Sequence, residues 1–251
     1  MPTSVSARAF IALVIALGLA VLGDAIFSAS TISVVRLVSF LLLACVAARL
    51  KVKLPGLTGT MAVNLPFILV AMAEMSLVEA LIIGCVSNFV QCLPHAGKRF
   101  NPVQTAFNVS NMALAVAATR LIYQWSLVNA SVASPSLRLA IATAGFVLVN
   151  TIPVALVIFL TEGKSVISTW LGIFQISFPY FLASAGVAGV VLTLASRVGW
   201  PVPVVILPLM AGVFYSYRRF CQAPPKVWEE VPLEKMEPEG VRPAEENESL
   251  A

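Results

Sequence analysis

The sequence has little charge and almost no side chain suited to metal or acid–base chemistry. Only 11% of its 251 residues are Asp, Glu, Lys or Arg, it has one histidine, and its four cysteines include no CxxC pair. Cys45, Cys85 and Cys92 lie in apolar runs, where a thiol behaves as a small hydrophobe, and Cys221 follows the last run. His95 stands beside Lys98 and Arg99 in the loop from Cys92 to Phe100, with no partner at metal-ligand spacing, and is read as a solvated surface residue. There is no HExxH, no glycine-rich phosphate loop and no nucleophile elbow, so no metal, cofactor or catalytic residue is expected.

What is present is apolar. The chain is 59% hydrophobic, with a mean hydropathy of +0.93. Its apolar runs are continuous rather than alternating, which excludes a transmembrane β-barrel and implies helices solvated by lipid. Eight runs stand out, at residues 9–27, 32–49, 60–75, 77–92, 102–125, 136–160, 169–195 and 201–217. The expected fold is therefore all-α, a polytopic transmembrane helical bundle of about eight spans. The third and fourth runs are short and meet at Glu74 to Ser76, as either a tight hairpin or a pair that thins the bilayer. Arg8 before the first run and Ser28-Ala29-Ser30 after it also fit a cleaved signal peptide, which would leave seven spans, although Asp24 argues against this.

Charge divides the chain into two parts. Residues 1–220 hold 13 Lys/Arg against 4 Asp/Glu, whereas residues 221–251 hold 3 against 8. The first part is the membrane domain. The second, rich in proline and glutamate, cannot bury enough apolar area to order itself and is expected to be a disordered cytoplasmic tail with Val227 and Trp228 as docking anchors. Basic residues sit singly or in small groups at helix ends, so no nucleic-acid partner is implied. With the N-terminus inside, nine of them (Arg8, Arg49, Lys51, Lys53, Lys98, Arg99, Lys164, Arg218 and Arg219) fall on the inner side. Four (Arg36, Arg120, Arg138 and Arg197) fall on the outer side, so both termini are expected in the cytoplasm of a cell with a bacterial inner membrane.

This topology places the buried amides in one layer. Gln104, Asn108 and Asn111 recur on one face of the fifth run, Asn88 and Gln91 end the fourth, and Asn64, Asn150 and Gln175 join from the third, sixth and seventh. They serve either as interhelical glue, the plainer reading, or as a polar cavity open to the cytoplasm. The opposite side of the fifth helix, with Val103, Ala106 and Leu114, should meet lipid or apolar neighbours. At the outer surface Asp24 and Arg36 flank the first turn closely enough to pair, and Glu74 and Glu79 are placed to meet Arg120 or Arg138. These charges are read as ion pairs, with an outer ligand site as the alternative. Close helix packing is expected along Ala12, Ala16 and Ala20 and at Ala185 and Gly189, and kinks at Pro153 and Pro179.

The order of several short motifs resembles the MASE-type integral membrane sensor domains. These motifs are Leu54-Pro55-Gly56, Phe107-Asn108, Asn150, Glu162-Gly163-Lys164, Pro179-Tyr180, and Pro208 followed by Tyr215, Tyr217 and Phe220. Such domains precede HD-GYP phosphodiesterase, GGDEF cyclase or histidine kinase output domains, and here only the acidic tail follows Phe220. The resemblance implies a sensor-like, non-enzymatic signalling protein that works through a cytoplasmic partner. The Ala12, Ala16, Ala20 stripe is also similar to that of the substrate-binding components of energy-coupling-factor vitamin transporters, which use it to contact a partner in the membrane. A non-catalytic membrane scaffold is the third alternative.

Overall fold

The computed structural model describes residues 5–28, 32–53, 60–94, 100–125, 134–198 and 206–222. The tail with Trp228, the Leu54-Pro55-Gly56 turn and the His95, Lys98, Arg99 loop lie outside the described residues. The described residues form eight helices and one small hairpin: α1 (Val5–Phe27), α2 (Val34–Arg49), β1 (Lys51–Lys53), β2 (Thr60–Ala62), α3 (Leu65–Glu74), α4 (Leu77–Cys92), α5 (Pro102–Gln124), α6 (Pro135–Glu162), α7 (Val166–Val198) and α8 (Ile206–Gln222). The chain is thus a helical bundle. Three stretches are long and apolar enough to cross a membrane, namely α1, α6 and Val166–Ala195 of α7. The exterior suits lipid as a solvent, with Leu19, Leu42, Leu121, Ile167 and Leu182 all exposed.

Local chemistry sets most boundaries. Ser76 caps α4 in a reciprocal box with Glu79. The side chain of Asn101 accepts from the Gln104 amide at the start of α5, where Pro102 is tolerated because its missing N–H has no helical partner. Gly163 ends α6 with φ of +70°, a left-handed conformation that glycine adopts without strain. The third apolar run departs from expectation. It splits into strand β2, paired antiparallel with β1 through Lys51↔Ala62 and Lys53↔Thr60, and a helix of only 10 residues.

That short helix, α3, is the core of the bundle. At 1.5 Å per residue it rises roughly 15 Å, about half the hydrocarbon thickness of a bilayer. Its residues from Leu65 to Met72 are all buried, with Phe67, Leu69 and Ala71 fully so, because α2, α4, α5, α6 and α7 pack around it. Each of its ends is tied to a side chain from elsewhere. The Arg120 guanidinium of α5 donates to the carbonyls of Met72 and Met75 at the C-terminal end. At the other end the Tyr180 hydroxyl of α7 accepts from the Leu65 amide at 3.2 Å and donates to the Ala62 carbonyl at 2.7 Å.

The remaining helices surround this centre. α1 packs on α5, α5 on α4 and α6, and α6 on α7. The α1 seam is formed by Ala7, Val14, Gly18 and Ala25, all buried. A Cβ on Gly18 would lie 2.6 Å from the Ser110 Cα of α5, so only glycine permits this approach. Ala12, Ala16 and Ala20 lie on the other side of α1 and are exposed, so the expected packing along that stripe does not occur within the chain. Gly189 is buried with Ser136 of α6 3.5 Å from the position of an added Cβ, in ordinary contact, and Ala185 is half-buried on the same helix.

Substituting Gly18 by valine should overpack the α1–α5 seam and cost about 1–3 kcal/mol. Nothing lies within 4 Å of a Cβ added at Gly23, so Gly23→Ala should leave the thermal midpoint in detergent nearly unchanged. Equal midpoints for the two variants would show that the seam is not close-packed.

Candidate functional site

The beginning of α2, the α3–α4 turn, the end of α5 and the beginning of α6 form one end of the bundle. There Arg36 pairs with Glu74 at 3.4 Å and Glu79 accepts from the Ser33 amide at 3.1 Å. Arg138 stacks over the Tyr123 ring at 5.5 Å. The expected pairings change in two respects. Arg36 meets Glu74 rather than Asp24, which is exposed, and Arg120 meets main-chain carbonyls rather than a carboxylate. The carbonyls at the C-terminal end of a buried helix are partial negative charges that need donors, and Arg120 supplies them. Glu74 through Arg36, and Glu79 through the Ser33 amide, tie α2 to the α3–α4 turn.

At the opposite end Lys51 of the hairpin donates to the Leu93 carbonyl, just past α4, at 3.1 Å. The chain therefore crosses between the two ends once through β2 and α3 together. Where the extended segment turns into helix, a cavity of about 160 Å³ opens below the first turn of α3. Asn64 and Leu65 form its roof, Gln91 of α4 and Met112 of α5 one side, Phe146, Asn150 and Thr151 of α6 another, and Ser177, Tyr180 and Phe181 of α7 a third.

The polar groups around this cavity are organised by bonds between helices. Asn64 donates its amide to Ser87 Oγ at 3.0 Å. Asn88 donates to the Asn108 carbonyl at 2.8 Å, and Asn108 in turn reaches Cys92 Sγ at 3.5 Å. Asn111 donates to the Asn150 carbonyl at 2.9 Å, one turn before Pro153, which lies inside α6. Thr151 receives the Trp170 indole N–H at 3.0 Å, linking the wall to the stacked rings of Trp170 and Phe174, whose centroids are 5.3 Å apart.

Of the expected amide layer, Asn64, Gln91 and Asn150 line the cavity, Asn111 braces it, and Asn88 and Asn108 tie α4 to α5 behind it. Two members do not join. Gln104 is exposed in the first turn of α5, away from the cavity. Gln175 is exposed because it precedes Ser177 by two positions, about 200° around the helix from the buried face. On α5, Val103 and Ala106 are exposed and Asn111 is buried, whereas Leu114 is half-buried rather than lipid-facing.

Ser177, Tyr180, Thr151 and Trp170 carry much of the site and were not singled out by residue type. The available signal was spacing, since Ser177, Tyr180 and Ser184 recur at three and four residues along an otherwise apolar helix. Among the described residues no His, Cys, Asp or Glu group of three or more is arranged to hold a metal. A second groove, of about 450 Å³, lies between α6 and α7 against Ala185 and Gly189, and its walls are mostly apolar. No family model, no curated protein and no solved structure matches this chain.

Tyr180 is the hinge of this geometry, so Tyr180→Phe should leave the Leu65 amide and the Ala62 carbonyl unpaired in the core. The cost should be about 1–3 kcal/mol. Hydrogen exchange at the Leu65 amide should accelerate in the variant, and unchanged protection would show that the tyrosine does not hold the helix.

Proposed function

We propose that the protein is a multi-pass inner-membrane receptor with both termini in the cytoplasm, and that it reports occupancy of the α3–α7 cavity to a partner. The observation that carries this reading is the cavity itself. It lies beneath the start of a half-length helix and is walled by four longer ones, with Asn64, Asn150 and Ser177 within reach of its interior.

The excess of basic residues in the loops expected on the inner side, nine against four, supports the orientation. On this reading α3 and β2 complete one crossing between them, so eight passages remain although one is half extended chain. The MASE-like order of motifs supports a sensor role, and the acidic tail with Trp228 supplies the contact for a cytoplasmic partner. In this proposal the chain is not an enzyme and its output is conformational.

A second reading is supported by the exposure of Ala12, Ala16 and Ala20, which leaves a small-residue face on α1 for a membrane partner, as in a substrate-binding transport component. Replacing Ala16 by leucine separates the two. The change should abolish assembly with a transporter membrane subunit under the second reading and leave the receptor's behaviour intact under the first.

The receptor reading is tested by fractionating a cell extract and measuring thermal stabilisation of the purified chain in detergent. At a hundred times Kd a ligand contributes about 2.7 kcal/mol. One fraction should raise the midpoint of the wild-type protein but not of Ile173→Phe, because Ile173 lines the cavity and a phenyl ring there would project into it. If no fraction distinguishes the two proteins, the cavity is not a receptor site.

A further inference from the structure

The chemical class of the ligand can be drawn from the walls of the cavity, on the premise that this cavity is the receptor site. We propose that it takes an uncharged molecule with a single aromatic ring and a hydrogen-bond donor and acceptor on one edge, the edge being held by Ser177 and Asn64.

Charge is the first constraint. None of the residues lining the cavity is Asp, Glu, Lys, Arg or His. A charged ligand would have to give up its hydration with no counter-charge in the wall, whereas a neutral one has only its polar edge to satisfy. Arg36, Glu74 and Arg120 are engaged at the other end of the bundle, around the α3–α4 turn.

Hydrogen-bonding capacity is the second. The buried threonines of the bundle return their hydroxyl protons to the carbonyl four residues back, as Thr119 does to Ala115, Thr143 to Leu139 and, in the cavity wall itself, Thr151 to Val147. Ser177 is only 3% exposed, lines the cavity, and makes no such bond. A hydroxyl both donates and accepts, and burying one without a partner is unfavourable, so this group is left for a ligand. Asn64 has already given its N–H to Ser87 and retains its carbonyl oxygen as an acceptor. Together the two groups call for a ligand edge that offers at least one N–H or O–H and one acceptor.

Shape is the third. Phe146 and Phe181 stand with centroids 6.3 Å apart and planes inclined at 60°, and Met112 faces the same space. Tilted rings and a thioether accept a planar aromatic through edge-to-face and sulfur contacts. A cavity of about 160 Å³ is comparable with the roughly 150 Å³ that admits benzene in another protein.

Three molecules of one shape and different charge test the inference: benzamide, benzoate and benzamidine. Binding to the full chain in detergent is followed by the thermal midpoint and by the fluorescence of Trp170, which is bonded to the cavity wall through Thr151. Benzamide should bind saturably, about tenfold more weakly to Ser177→Ala, and not to Ile173→Phe. Benzoate and benzamidine should bind at least about a hundredfold more weakly. A charged member that binds as well as benzamide, and is blocked by Ile173→Phe, overturns the uncharged class and leaves the receptor site standing. If none of the three binds while an extract fraction stabilises the protein in an Ile173-dependent manner, the single-ring class is wrong and the site again stands. If neither the probes nor any fraction responds to Ile173→Phe, both the inference and the receptor reading fall.

Discussion

Main-chain groups inside a membrane have no water to turn to, and each one left unpaired costs several kcal/mol. A helix that runs from one face to the other hides this constraint, because its unpaired ends emerge into water. α3 cannot do so, since its 10 residues both begin and end within reach of the other helices. Arg120 and Tyr180 answer the constraint from opposite ends, one supplying donors to carbonyls and the other accepting from an amide while donating to the preceding strand. α5 and α7 are thereby fixed relative to the centre, and the cavity is the space left where α3 starts too late to fill its column.

The same constraint explains why the polar residues around the cavity are amides and hydroxyls rather than charges. Each of Asn64, Asn88, Asn108 and Asn111 is used across a helix seam, and such bonds contribute about 0.6 kcal/mol each. They are weak individually. Their effect is on register, because an amide that must reach one particular carbonyl or hydroxyl fixes how far one helix slides along its neighbour. Ser177 differs from them in facing the cavity without a protein partner, and that difference separates seam residues from candidate ligand contacts.

The helix boundaries were most legible where punctuation accompanied hydropathy. The fourth run, 77–92, coincides with α4 because Ser76 and Glu79 form a capping box, and the fifth begins with α5 because Pro102 follows Asn101. Apolarity alone extends the third run back to residue 60, since it does not distinguish Thr60–Ala62 as a strand from the first turn of a helix. Pro66 near the start of α3 was the mark of the true beginning. In the site, residue type identified Asn64, Gln91 and Asn150 but carried no direction, which is why Gln104 and Gln175 were grouped with them. Arg120 illustrates a different limit. Its partners are carbonyls, and a carbonyl leaves no trace in the sequence.

The contact between Gly18 and Ser110 has a consequence for the outside of the molecule. Backbone against backbone leaves α1 a single angular setting on α5, in the way a key fixes a shaft. The alanine face at Ala12, Ala16 and Ala20 is therefore held outward at a constant bearing to the rest of the bundle. Side chains on that face can change without disturbing the seam, so the outer face of α1 and the stability of the bundle can evolve independently of each other.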